Sequence, residues 1–175
     1  MLWVNLVTDG LPALALGLEP AEPDVMERPP RPPRESIFAR GMLRRIMARG
    51  IFIGLASLAV FWWGVYAPLS SGGAEGLDGA RTMAFACLVV AQLVHAFHCR
   101  SETRSLFQMP ARGNPALVGA VVISLAMLLA VIYVPWISRF FHTVALGWPQ
   151  WVVVLAAALA GDLVALVGLL VFPRR

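Results

Sequence analysis

Apolar positions in this chain come in long runs, not in the alternation of a half-buried strand. Four runs, residues 51–68, 82–99, 116–138 and 149–172, hold almost no charge. Each approaches the ~20 residues that an α-helix needs to cross a ~30 Å hydrocarbon core. Trp62, Trp63 and Tyr66 sit toward one end of the first run, Tyr133 and Trp136 at the end of the third, and Trp148 and Trp151 at the start of the fourth. That placement predicts an aromatic belt on one side of a membrane. A fifth run, residues 1–18, is apolar but interrupted by Asn5, Thr8, Asp9, Gly10 and Pro12. It lacks a basic leader and carries an acid, so it reads as a membrane helix with a polar break, not as a signal peptide.

The gaps between runs set orientation. Arg28, Arg31, Arg34, Arg40, Arg44, Arg45 and Arg49 precede the first full run, Arg100, Arg104 and Arg112 follow the second, and Arg174 and Arg175 end the chain. Only Arg81 and Arg139 fall in the other gaps, so 12 of the 14 basic residues share one side, which is expected to be cytoplasmic. The C-terminus is then cytoplasmic as well. Pro20, Pro23, Pro29, Pro30, Pro32 and Pro33 fill the segment after the first run. Proline at that density favours an extended, semi-rigid connector, either a plain linker or a docking surface for a soluble domain.

Composition agrees. Of 175 residues, 59% are hydrophobic and 14% charged, against roughly 45–50% and about 25% in soluble domains. A soluble enzyme and a disordered chain are excluded. The net charge of +4 comes with arginines confined to gaps, so no basic face for nucleic acid is present. Cys87 and Cys99 lie ~18 Å apart if helical, too far to bond to each other.

Candidate chemistry concentrates in the broken run. Asn5, Thr8 and Asp9 follow i, i+3, i+4 spacing, which puts an amide, a hydroxyl and a carboxylate on one helical face. All three are hard oxygen ligands suited to Ca²⁺ or Mg²⁺. Pro12 and Gly10 loosen the backbone beside them, and half-unwound helices with a carboxylate build cation sites in transporters. A polar helix end facing water is the plainer alternative. His95, His98 and Cys99 share a similar spacing that would suit zinc, but they sit at the end of a span with only Glu102 nearby, and interfacial histidines are the simpler reading. Asp162, near the middle of the last run, is expected to face protein in a structural role. Glu75, Asp78 and His142 are expected in surface loops.

The run Trp3-Val4-Asn5-Leu6-Val7-Thr8-Asp9-Gly10-Leu11-Pro12-Ala13 resembles the sixth transmembrane helix of P-type cation ATPases, most closely calcium pumps of the sarcoplasmic-reticulum type. Glu19-Pro20 followed by Met26-Glu27-Arg28-Pro29-Pro30-Arg31 resembles the cytosolic connector after that helix. Ser101-Glu102 and Ser105-Leu106-Phe107 resemble the loop after the eighth helix. The resemblance covers nearly the whole chain as helices six to ten. It implies that Asn5, Thr8 and Asp9 coordinate the transported cation, Ca²⁺, in an incomplete site. It implies that the connector 19–34 touches a phosphorylation domain, with ATP and Mg²⁺ used elsewhere in the parent pump. Gln92 aligns with an acidic ligand of two-site calcium pumps; a neutral amide there weakens a second site and favours one ion per cycle.

The phosphorylated aspartate of such pumps lies in an Asp-Lys-Thr-Gly-Thr run, and this chain has no lysine. Alone it is therefore expected neither to hydrolyse ATP nor to complete an ion site. The expected fold is an all-α, polytopic transmembrane helix bundle with one partial broken helix plus four full spans. The expected divisions are a partial ion-site helix (1–18), a cytosolic proline- and arginine-rich connector (19–50) and a four-helix bundle (51–175). The expected partners are the lipid bilayer, in a bacterial plasma membrane, and the remainder of the pump, with no nucleic acid. The alternative is a free-standing, non-enzymatic membrane protein derived from a pump and acting as an accessory or regulatory subunit.

Overall fold

The computed structural model describes residues 2–20, 26, 32, 34–36, 38, 41–66, 74–100 and 113–171; among these, the side chains of 2–8, 74–75 and 161–171 lie outside the description. Six helices appear in order: α1 (Leu2–Leu16), α2 (Met42–Tyr66), α3 (Ala74–His98), α4 (Pro115–Tyr133), α5 (Pro135–Phe141) and α6 (Trp148–Val171). No strand occurs among the described residues, and the chain is the all-helical bundle that its apolar runs predict.

Among the described residues, three helical stretches, Met42–Tyr66, Gly76–His98 and Pro115–Tyr133, are long and apolar enough to cross a membrane. The fourth expected span, α6, is helical over 24 residues. Its described apolar part is Trp148–Ala160, and the side chain of Asp162 lies outside the description.

Local chemistry fixes where the helices end, and some ends differ from expectation. The third apolar run is two helices, not one. Pro135 disfavours helical geometry at Val134, which takes φ −83° and ψ 116°, so α4 stops at Tyr133 and α5 begins afresh. At the other end of α4, Asn114 accepts from the Leu117 N–H at 2.9 Å and Pro115 takes the first turn, where no N–H is needed. His142 closes α5 in the left-handed region at φ 54° and is exposed. Helix α2 starts at Met42, after Gly41 at φ 78°, so Arg44, Arg45 and Arg49 lie on a helix.

Helix α3 likewise begins before its apolar run. Asp78 is a helical residue there, not a loop residue. Its carbonyl accepts from the Thr82 hydroxyl at 2.8 Å, and its carboxylate pairs with Arg81 at 3.0 Å.

Helix α3 is the centre of the bundle, packing against α1, α2, α4 and α6. The core joins Ala56 and Val60 of α2, Met83, Ala86, Cys87, Val89 and Val90 of α3, Leu128 and Ile132 of α4, and Val154 and Ala158 of α6. Small residues allow close approach: a Cβ on Gly64 would lie 2.8 Å from the Ala80 Cα. With no hydrophobic drive between helices in lipid, such close packing supplies the attraction. The outward faces stay apolar, with Leu55, Leu58 and Trp62 exposed on α2 and Val122, Ile123 and Leu129 on α4.

The two ends of the bundle differ. At one, the end of α2 and the start of α3 meet the end of α4 and the start of α6. Trp62 stacks on Tyr66 with ring centroids 5.0 Å apart. The Trp151 indole donates to the Tyr133 hydroxyl at 2.7 Å, which donates to the Leu146 carbonyl at 2.7 Å. The Val144 N–H donates to Thr82 Oγ1 at 3.1 Å. At the other end the chain brings together the end of α1, the end of α3 and the start of α4. This alternation matches the split between aromatic and arginine-bearing gaps.

Candidate functional site

Helix α1 carries Asn5, Thr8 and Asp9 and runs unbroken from Leu2 to Leu16 with Pro12 inside it. The expected break is thus a missing hydrogen bond, not a gap in the helix. Proline has no N–H, so position 12 offers nothing to the carbonyl four residues back, which belongs to Thr8. A backbone oxygen is released on the turn of α1 that carries Thr8 and Asp9. Asp9 is exposed; the side chains of Asn5 and Thr8 are outside the described set. One turn further on, Pro12 and Ala15 are buried, and Ala15 joins Leu117 and Ala120 of α4 in a small apolar cluster backed by Leu11, Leu16, Ala96 and Phe97.

Gln92 lies on α3, a neighbour of α1. Its Oε1 is buried and accepts no hydrogen bond among the described residues. Glu19 and Arg100 meet just past the ends of α1 and α3, which fixes the relative heights of the two helices. Counting back ten residues to Asp9 and eight to Gln92, at ~1.5 Å per residue, puts both about 12–15 Å above that contact. They share a level of the bundle.

The end of α1 is tied down by polar groups. Arg100 donates from Nε to both Glu19 oxygens, at 3.0 and 3.1 Å, and from Nη2 to Oε1 at 2.9 Å. Its side chain is 3% exposed and that of Glu19 is 15% exposed. Asn114 Nδ2 donates to the Ala15 carbonyl at 2.9 Å and to Glu19 Oε2 at 2.6 Å, while its oxygen caps α4. Burial pushes the Glu19 carboxyl upward, but the hydrogen bonds from Arg100 and Asn114 and the Arg100 charge outweigh it and hold it below the usual carboxylate range. The sequence reading did not find this cluster. Its signals were an isolated arginine at the end of an apolar run and an Asn-Pro pair opening the next.

His95 and His98 have ring centroids 6.4 Å apart, and Cys99 Sγ lies 3.7 Å from His95 Nε2. Among the described residues no group of three potential ligands converges. Residues 101–112 and most of residues 21–40, the part of the connector that reads as a plain linker or a docking surface, lie outside the described residues.

Comparison with known proteins places these features. A family model described as "Cation transporting ATPase, C-terminus" matches residues 1–169. A calcium-transporting ATPase of Bacillus subtilis (strain 168) is 46% identical over 155 residues, covering 89% of this chain and 17% of that protein. The endoplasmic reticulum calcium ATPase srcA of Aspergillus fumigatus is 32% identical over 200 residues, covering 100% of this chain and 20% of that protein. The chain thus spans a fifth or less of the length of these relatives.

Proposed function

This chain belongs to the family of cation transporting ATPase C-termini, and from that membership we propose that it serves a P-type pump that moves Ca²⁺. Its part is to supply three oxygen ligands, Asn5, Thr8 and Asp9, to a membrane cation site completed by the rest of the pump. The observation that carries this reading is the ligand run on α1 with Pro12 one turn beyond. A carboxylate, an amide and a hydroxyl spaced along one helical face, with a carbonyl released by proline on the same turn, form a hard-oxygen half-shell of the kind Ca²⁺ accepts. Exposure of Asp9 suits a site whose other ligands come from elsewhere in the pump.

ATP and Mg²⁺ act in the cytosolic part of the parent pump. Phosphorylation there changes the access and affinity of the membrane site, and the connector 19–34 carries that change. Gln92, neutral and level with Asp9, leaves a second site weak, so one ion moves per cycle. The pump sits in a bacterial plasma membrane with its C-terminus in the cytoplasm. A family defined on pump C-termini, with relatives about five times longer, supports this reading over a free-standing accessory protein.

The test is Asp9→Asn in the assembled pump, with ion-dependent phosphorylation as readout. Loss of Ca²⁺-dependent phosphoenzyme in a normally folded variant is expected. Unchanged phosphorylation would remove Asp9 from the ligand set.

A further inference from the structure

We propose that Arg100, acting through Glu19 and Asn114, is a positioning residue for the cation site, locking the end of α1 to the α3–α4 connection. This rests on the reading of α1 as the ligand helix. The described side chains of α1 rest on a narrow base. Its neighbours are α3 and α4, and its apolar seat is the small cluster around Ala15, Leu117 and Ala120. In lipid, apolar contact of that size gives no hydrophobic drive.

The polar cluster is built to fix geometry. The guanidinium grips both carboxylate oxygens of Glu19, a fork that sets direction as well as distance. Asn114 ties two helix ends together, donating to the Ala15 carbonyl, which also accepts the Leu18 N–H, and accepting the Leu117 N–H at the start of α4. The chain entering α4 is fitted to the guanidinium: a Cβ on Gly113 would lie 2.8 Å from Arg100 Nη2. Buried ion pairs are weak evidence for stability, and fixing one arrangement is their better-attested use.

Glu19 follows α1 by a short turn in which the Glu19 N–H donates to the Leu16 carbonyl at 3.0 Å. Any shift of the latch therefore passes along the helix to Asp9. Releasing it frees the ligands to wander, which lowers ion affinity without touching the ligands themselves.

The experiment uses the full-length pump and measures Ca²⁺ activation of ATP hydrolysis for Arg100→Gln, Arg100→Lys, Glu19→Gln and, as a control, Asp9→Asn. The half-activating Ca²⁺ concentration in Arg100→Gln should rise about fivefold or more, the lower end of coupling between linked sites, with the maximal rate per folded pump kept. Arg100→Lys, which keeps the charge but loses the fork, should recover part of the shift. If Arg100→Gln fails to fold, the milder Glu19→Gln carries the same expectation. A lowered melting temperature with unchanged half-activation would reduce the cluster to a stability element and overturn the proposal. If Asp9→Asn leaves Ca²⁺ activation intact, the ligand-helix reading falls instead; if Asp9→Asn abolishes activation while the latch variants leave it unmoved, only the latch proposal falls.

Discussion

Where α2 crosses α3, Gly64 lies so near Ala80 that a side chain could not fit between them. Around that crossing Val60, Met83, Ala86 and Cys87 are buried without a charge among them. Where α1 meets α3 and α4, the contact is a small apolar patch closed off by an arginine, a glutamate and an asparagine. The first region is held by shape. The second is held by directed hydrogen bonds at one end of a helix whose other end carries the candidate ligands. A bundle that must stay rigid is well served by dry packing. A helix that must present oxygen atoms at fixed positions gains more from an anchor with angular preference.

Three changes would break or sharpen that contrast. The largest effect is expected at Gly64→Val, which forces new methyl groups into the α2–α3 crossing. Overpacking of this kind costs about 1–3 kcal/mol, and denaturation of the purified protein should show it, with ion affinity in the surviving folded fraction unchanged. Tyr133→Phe comes next. It removes the hydroxyl that bridges Trp151 and the Leu146 carbonyl, and interhelical hydrogen bonds in membranes are worth about 1 kcal/mol. A small drop in melting temperature, again without an affinity change, is the expected outcome.

The smallest expected effect on stability is the acid titration of Glu19. Its carboxyl is held below its ordinary value of 4.5, so the stability it contributes is complete at neutral pH and is lost as pH falls through the lowered value. Melting temperature should fall on strong acidification, and Glu19→Gln should lack that part of the decline. An identical acid profile in the variant would mean that other carboxyls govern it.

Much of this architecture is written locally. Asn114-Pro115 before an apolar run announces the start of α4, and the alternation of arginine-bearing and aromatic gaps gives the antiparallel order of the helices. Pro135 carried enough information to end α4 at Tyr133, but the apolar run across it concealed the break. The start of α3 was hidden for the opposite reason: Gly76 and Gly79 read as loop, whereas Asp78, Arg81 and Thr82 bond along a helix. On the candidate site, the ligand spacing in α1 and the loss of a backbone donor at Pro12 follow from the sequence. The latch does not, because it joins residues 81 and 95 positions apart, and nothing near Glu19 indicates which arginine it will meet.

The most direct measurement is equilibrium binding of radioactive calcium to the whole purified protein, wild type against Asp9→Asn, without ATP. Saturable binding by the wild type and its loss in the variant, with both equally folded, is the result expected if α1 supplies the carboxylate of the cation site. Equal binding by the two proteins would contradict that role for α1.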